Sequence, residues 1–227
     1  MQLTEVSMLG VRTSVITFRH PGTPLRFTLI PTIHFGRADY YRRIARRVAA
    51  CAMVVAETYD GPSSTGLAYV TAMRLSLQRR AGELVHQDID YRSLGVPAVF
   101  PDGDPLAVRR DRIPATGWAD VVMMVPYLTV TMTVGGRDWL LRRNFEISDD
   151  SEPRAFRAGW LNRMFLHDRD EMLVAELERV HAERGADPIE VAVVWGAAHM
   201  PAVVRALAGR LGYRPVSGGD WLTAIDF

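Results

Sequence analysis

Residues 189–199, Ile-Glu-Val-Ala-Val-Val-Trp-Gly-Ala-Ala-His, set the fold of this chain. The apolar, β-branched run up to Trp195 predicts a buried strand, and Gly196 predicts a turn directly after it. Residues 201–212 then carry the pattern of a helix closed by a glycine. A buried strand that leads through a turn into a helix is the repeating unit of α/β folds.

The same alternation extends outward over the rest of the chain. Strands are predicted at 12–19, 25–33, 53–56, 84–89, 213–216 and 221–227. Helices are predicted at 39–50, 63–80, 118–144, 162–184 and 201–212, with breaks near Pro126 and at Gly135-Gly136. Residues 97–114 are rich in proline and glycine and predict a loop. We therefore expect an α/β protein, residues 1–227 forming one domain, with a mainly parallel central sheet, helices on both faces and antiparallel hairpin additions.

Composition excludes several classes of site. The net charge is only +1, so no strong positive field attracts nucleic acid. All 27 basic residues are arginine, which excludes Schiff-base enzymes and the phosphate-binding lysine of P-loop proteins. Cys51 is the one cysteine, and its apolar neighbours predict a place in the core. Any metal would therefore be held by His, Asp or Glu side chains.

The sequence also predicts a cytoplasmic protein without a membrane span. The first residues lack the basic and apolar regions of a secretory signal. The apolar stretch 121–134 contains Pro126 and is shorter than the roughly 20 residues that a span needs. A buried helix is the preferred interpretation, with contact to a membrane surface or an apolar substrate as the alternative.

Three chemically active side chains follow predicted strands at their carboxyl ends. His34 follows residues 25–33, Glu57 follows residues 53–56, and His199 follows the predicted strand at residues 189–195 after one turn. In α/β sheets the loops beyond such strand ends meet in one crevice, so we expect these side chains to converge. Two imidazoles and a carboxylate suit a catalytic Zn²⁺-type or Mn²⁺-type centre, and they equally suit acid–base chemistry without metal.

Four segments together resemble the TraB/PrgY/TIKI superfamily, which groups with ChaN-like and erythromycin-esterase-like proteins. They are Pro31-Thr-Ile-His34-Phe-Gly36, residues 52–57, His167-Asp-Arg169-Asp170-Glu-Met172 and Val193-Val-Trp-Gly196-Ala-Ala-His199-Met-Pro201. Their order and spacing follow the family over nearly the whole chain. One departure is Pro31, which stands where the family usually has glycine.

The resemblance implies a divalent-metal-dependent hydrolase that acts on a small peptide or ester. His34, Glu57 and His199 would hold a zinc, manganese or cobalt ion, and Glu57 would also serve in catalysis. Arg169 would stabilise an oxyanion or bind a substrate carboxylate, while Asp170 would orient a histidine or Arg169. Homo-oligomerisation is compatible with the sequence.

Two other functions fit the same residues. One is a metal-independent hydrolase in which His34 or His199 is the general base and Glu57 orients it. The other is a protein that binds a peptide, haem or another apolar ligand. Its pocket would be lined by four residues of the apolar segment: Met123, Met124, Tyr127 and Met132.

The sequence also carries weaker signals. Gln87-Asp88, at the end of the 84–89 strand, is a second-rank site candidate. His167 and Glu171 stand four residues apart, which predicts a solvated pair on a helix surface more readily than a metal site. His86 has no supporting context in the sequence.

Overall fold

The fold comes from a computed structural model, which describes residues 1–58, 64–75, 84–87, 89–103, 115–136, 141–142, 145–151, 167–216 and 219–227. Its strands are β1 (Thr4–Ser7), β2 (Gly10–His20), β3 (Thr23–Thr32), β4 (Phe35–Arg37), β5 (Met53–Ala56), β6 (Leu84–His86), β7 (Ala98–Val99), β8 (Glu190–Gly196), β9 (Arg214–Pro215) and β10 (Asp220–Asp226). Its α-helices are α1 (Ala38–Ala49), α2 (Ser64–Leu75), α3 (Ala115–Val134), α4 (Asp168–Arg184) and α5 (Met200–Arg205). Short 3₁₀ turns form at Tyr91–Leu94 and Ala197–His199, and a π-helical turn at Ala206–Arg210 follows α5.

An eight-stranded sheet runs in the order β1-β2-β3-β8-β5-β7, with β9 and β10 also paired to β2. The strands β3, β8, β5 and β7 are parallel, whereas every pairing of β2 is antiparallel. This confirms the predicted α/β fold with a parallel centre and antiparallel additions. The strand β8, which corresponds to the predicted strand at residues 189–195, lies between β3 and β5.

The register brings three strand ends to the same edge of the sheet. Thr32 of β3 pairs with Gly196 of β8, and Ala56 of β5 pairs with Val194. The last residues of β3, β5 and β8 therefore lie within about two residues of one another along the strand direction. At a rise of about 3.3 Å per residue, this corresponds to roughly 7 Å. This shared level is what positions His34, Glu57 and His199 relative to one another.

Alternate side chains of β8 enter two separate cores. Ala192 and Val194 belong to a cluster that includes buried residues of α1, α2 and α3. Val191, Val193 and Trp195 belong to a second cluster with buried residues of α4 and α5. Helices therefore cover both faces, and Ile44 and Val48 of α1 are fully buried as their four-residue spacing predicted.

Pro31 occupies a place in β3 where no antiparallel neighbour needs its missing N–H. The β2–β3 register ends at the pair Ile16 and Leu29, two residues before Pro31. The Pro31 carbonyl instead accepts a hydrogen bond of 2.9 Å from the buried Tyr40 hydroxyl. Pro31 keeps its parallel pairing with Trp195 of β8, so a proline at this position leaves the strand intact.

Some predicted elements differ from the structure. The predicted strand 84–89 forms as β6, but it pairs with β4 in a separate two-stranded sheet. The predicted loop 97–114 contains the parallel strand β7. The predicted break at Pro126 is wrong, since α3 continues through it and ends at Val134, before Gly136 with φ 76°. The predicted helices 63–80, 118–144 and 162–184 extend partly outside the described residues.

The four residues named for an apolar pocket differ in exposure. Met123 and Tyr127 are exposed, Met124 is half-buried and Met132 is buried in the core. The binding hypothesis stays a prediction. Among the described residues, no helix is both long and apolar enough to cross a membrane.

Candidate active site

Glu57 is the buried centre of the candidate site. It follows β5 directly, and its side chain is only 2% exposed. Its Oε2 accepts a hydrogen bond of 2.6 Å from the Gly196 N–H, and its Oε1 lies 2.8 Å from an Arg169 nitrogen. Both carboxylate oxygens are therefore engaged by groups from the β8 turn and from α4.

The charge of Glu57 is set by opposing effects. Burial raises the pKa of its carboxyl, but His34, Arg169, His199 and the Gly196 N–H together lower it below the ordinary value. Glu57 is therefore a carboxylate near neutral pH. A carboxylate that is held in this ionised form is a weak proton acceptor.

Asp170 and His199 form a hydrogen-bonded pair. Asp170 Oδ1 lies 2.7 Å from His199 Nδ1, and the histidine is 4% exposed. The carboxylate fixes the proton on Nδ1, which leaves the Nε2 lone pair available. His199 Nε2 lies 3.7 Å from Glu57 Oε1, beyond direct hydrogen-bond distance. Asp170, rather than Glu57, thus orients this histidine.

Arg169 bridges two buried carboxylates. It contacts Glu57 and Asp102, whose side chains are 2% and 5% exposed. Asp102 in turn accepts a 3.0 Å hydrogen bond from the Thr58 N–H, and the Thr58 hydroxyl donates to the Gly103 carbonyl at 2.6 Å. The guanidinium also lies 5.3 Å from the Trp195 ring centroid. Arg169 is therefore fixed by charge, by hydrogen bonds and by an aromatic face.

Gly196 lies at the point where the predicted residues meet. A Cβ atom added there would lie 3.2 Å from Glu57 Oε2, 3.6 Å from His34 Nε2 and 3.6 Å from His199 Cδ2. The structure thus brings His34, Glu57 and His199 together around one backbone position, with Arg169 and Asp170 in contact with them. A glycine in the turn leaves room for this approach.

Several residues that face the site carried no clear signal in the sequence. Asp102 lies in the predicted loop, where its neighbours gave it no recognisable motif. Tyr91 is buried near Glu57, and burial together with that carboxylate raises the pKa of its phenol. His86 faces His34, and burial together with His34 lowers the pKa of His86. His86 and Tyr91 reach the site because β6 pairs with β4 and because a 3₁₀ turn forms at Tyr91–Leu94. The sequence pattern predicted neither feature.

Gln87, a second-rank candidate, is buried beside the site. Its backbone N–H donates to the His34 carbonyl at 2.8 Å, and its side chain is near Tyr91. Gln87 Oε1 and Trp195 Nε1 are buried without a hydrogen-bond partner among the described residues. Buried polar atoms without a hydrogen-bond partner are rare in protein interiors, and they often bind an ordered water or a ligand.

His167 and Glu171 are exposed, in agreement with a solvated pair. Cys51 is buried, and burial raises the pKa of its thiol to about 11. Asp88 lies outside the described residues.

Comparisons with protein-family models, with curated proteins and with solved structures found no match to this chain. The resemblance to the TraB/PrgY/TIKI superfamily thus rests on the four sequence segments and stays a prediction.

The surroundings of His34, Glu57 and His199 decide whether these side chains fit a divalent metal ion. The part of the chain that the structure describes contains no group of three His, Cys, Asp or Glu side chains in an arrangement that could hold one. Arg169 already occupies Glu57 Oε1, and its positive charge opposes a second cation beside the same oxygen. In this arrangement the residues do not fit a metal centre, and metal dependence stays a prediction.

Proposed function

We propose that this protein is a metal-independent hydrolase of peptide or ester bonds in which His199 is the general base. The observation that carries the proposal is the 2.7 Å contact between Asp170 Oδ1 and His199 Nδ1. A carboxylate on one ring nitrogen fixes the proton there and leaves the lone pair of the other nitrogen available to accept a proton. The resemblance to erythromycin-esterase-like proteins supports the same reaction class.

The choice of base follows from the environments of the two candidate groups. The pKa of Glu57 is lowered by its cationic and N–H neighbours, so it remains ionised and accepts protons poorly. A histidine whose other ring nitrogen is held by a carboxylate is the usual general base of hydrolytic sites. Glu57 instead provides a fixed negative charge that stabilises the imidazolium formed when His199 takes a proton.

The attacking water would be bound beside His199 Nε2 and Glu57 Oε1. His199 Nε2 and Glu57 Oε1 are 3.7 Å apart, and polar groups at such a separation are often joined by water beside them. His199 Nε2 takes one proton from this water as its oxygen bonds to the substrate carbonyl carbon. The tetrahedral intermediate then expels the amine or alcohol, which receives that proton from His199. Arg169 supplies positive charge close to the developing oxyanion.

The test compares Asp170→Asn with Asp168→Asn on panels of peptide and ester substrates. Both substitutions remove a carboxylate from the first turn of α4, but Asp168 is exposed and has no part in the site. We expect Asp170→Asn to lower kcat by roughly 10²–10⁴-fold, the usual contribution of general-base catalysis. Asp168→Asn should retain the parental rate.

Metal dependence is measured in the same experiment by elemental analysis and by assays before and after chelation. Full activity in metal-free protein supports the proposal. Activity that disappears on chelation and returns with zinc, manganese or cobalt would instead establish the metal-dependent mechanism. Equal rates for the two aspartate variants would remove His199 as the base.

A further inference from the structure

The indole of Trp195 contacts two side chains of the candidate active site. Its ring centroid lies 5.3 Å from that of His199, and the planes of the two rings are inclined at 85°. The Arg169 guanidinium carbon lies over the same indole, 5.3 Å from its centroid. The proposed reaction gives this ring no role, although one side chain touches both the proposed base and the proposed oxyanion-stabilising cation.

The surrounding structure holds the indole firmly in place. Trp195 is the next-to-last residue of the central strand β8, pairs with Pro31 of β3 and is fully buried. Its side chain belongs to the same core cluster as Leu173 of α4, the helix that carries Arg169. Because protein cores are closely packed, Trp195 is a rigid surface against which the polar groups of the site rest.

His199 needs such a surface in addition to its hydrogen bond. Asp170 Oδ1 holds His199 Nδ1 at 2.7 Å, but the χ2 torsion of a histidine has a broad energy minimum. The imidazole can therefore swing about an axis near Cγ and Nδ1 and carry Nε2 with it. An aromatic ring packed at nearly a right angle against the imidazole opposes this movement, and such pairs are favourable beyond the area that they bury.

The indole acts here through its ring. Within the part of the chain that the structure describes, Trp195 Nε1 has no hydrogen-bond partner. Aromatic rings favour a perpendicular ring at their edge and a cation over their face, which are the two contacts that Trp195 makes with His199 and Arg169. A phenyl ring at position 195 would keep part of these contacts, whereas an aliphatic side chain would keep neither.

We propose that Trp195 is a positioning residue, which keeps His199 Nε2 directed at the reacting water and keeps Arg169 beside Glu57. Trp195 acts through these two side chains and takes no part in proton transfer. The proposal rests on the proposed function for its effect on rate, whereas the restraint on the His199 ring exists with or without hydrolysis.

The kinetic test compares Trp195→Leu with Phe27→Leu on the best substrate of the peptide and ester panels. Phe27 is the matched control, because it is fully buried in the same core cluster and makes a T-shaped contact of 5.1 Å with Tyr213. It pairs with Val191, at the opposite end of β8 from the site. Both variants should melt at a lower temperature than the parent, but only Trp195→Leu should lose activity.

The expected loss lies in kcat and leaves KM as in the parent. Small displacements of catalytic groups cost about 10²-fold in rate, so Trp195→Leu should lower kcat and kcat/KM equally by that factor. Trp195→Phe should recover about tenfold of this loss, since a phenyl ring restores part of the contact with His199. Phe27→Leu should keep the parental kcat.

A spectroscopic measurement tests the restraint without any substrate. The proton on His199 Nδ1 is held by Asp170, and its nuclear magnetic resonance signal is assigned by its loss in His199→Ala. The rate at which this proton exchanges with water reports how often the hydrogen bond opens. We expect exchange about tenfold or more faster in Trp195→Leu than in the parent, and unchanged exchange in Phe27→Leu.

The exchange measurement separates this inference from the proposed function. Faster exchange in Trp195→Leu alone supports the positioning role even if the parent hydrolyses no ester or peptide. Parental exchange in Trp195→Leu, or equally fast exchange in Phe27→Leu, would overturn it and leave hydrolysis by His199 standing. If melting shows that Trp195→Leu is unfolded, Trp195→Phe carries the test. Faster exchange than in the parent then supports the inference, and parental exchange overturns it.

Discussion

Glu57 Oε2 accepts a 2.6 Å hydrogen bond from the N–H of Gly196, a residue 139 positions away in sequence. This contact joins the end of β5 to the end of β8 and fixes the carboxylate at the level of both histidines. It also explains why residue 196 is a glycine, because any Cβ would enter the space between Glu57, His34 and His199.

Gly196→Ala is therefore expected to impair activity more than folding. The new methyl group would lie 3.2 Å from Glu57 Oε2, so the carboxylate must shift by a few tenths of an ångström or more. Small displacements of catalytic groups cost about 10²-fold in rate, and we expect a loss of that order in kcat. Gly209→Ala is the control, because nothing lies within 4 Å of its added Cβ. Equal rates for the two variants would contradict the tight convergence at Gly196.

Arg169→Gln should destabilise the protein by about 3–5 kcal/mol, because it leaves the buried carboxylates of Glu57 and Asp102 without their cation. Arg169→Lys should retain part of that stability but lose activity, since an ammonium lacks the planar fork that contacts both partners. Urea unfolding and kcat measure the two effects.

A matched control exists for this arginine on the protein surface. Arg179 also contacts two carboxylates, Glu176 and Glu183, but its side chain is 48% exposed. Arg179→Gln should change the free energy of unfolding by less than about 1 kcal/mol. A similar loss in both arginine variants would show that burial of the carboxylates is not the cause.

Stability should depend on pH through Glu57. The pKa of its carboxyl is lower in the folded protein than in the unfolded chain, so the unfolded chain binds more protons between the two values. The stabilisation is complete above the unfolded pKa and is lost as the pH falls through the folded pKa. Glu57→Gln removes this dependence. We therefore expect the difference in free energy of unfolding between parent and variant to shrink on acidification below about pH 4.5. A constant difference would mean that Glu57 is not ionised in the native state.

Tyr40→Phe tests whether the Tyr40 hydroxyl stabilises the carboxyl end of β3. The Tyr40 hydroxyl contacts the Pro31 carbonyl at 2.9 Å and Thr13 Oγ1 at 3.1 Å, and its side chain is 1% exposed. Removing it leaves a buried carbonyl unsatisfied, which costs about 1–3 kcal/mol in free energy of unfolding. Tyr127→Phe, at a position 65% exposed, is the control and should be neutral in the same denaturation experiment. A neutral Tyr40→Phe would show that Pro31 needs no such partner.

The sequence determined the strands that precede the site residues, β3, β5 and β8, because buried parallel strands require continuous apolar runs such as residues 191–195. It therefore also determined that His34, Glu57 and His199 follow strand ends, since each stands directly after a run or one turn beyond it. The spacing of Leu173, Leu177 and Val180 likewise predicted the helix α4, which carries Arg169 and Asp170 in its first turn.

Only the tertiary structure decided which partner each of these side chains has. Local patterns report periodicity and burial, whereas the contacts of Asp170 with His199, of Asp102 with Arg169 and of Gly196 with Glu57 join segments 29, 67 and 139 residues apart. Such contacts depend on strand order and register, which are set by the packing of the whole sheet. For the same reason β6 joined β4 instead of the central sheet, and the predicted loop delivered Asp102 to the site.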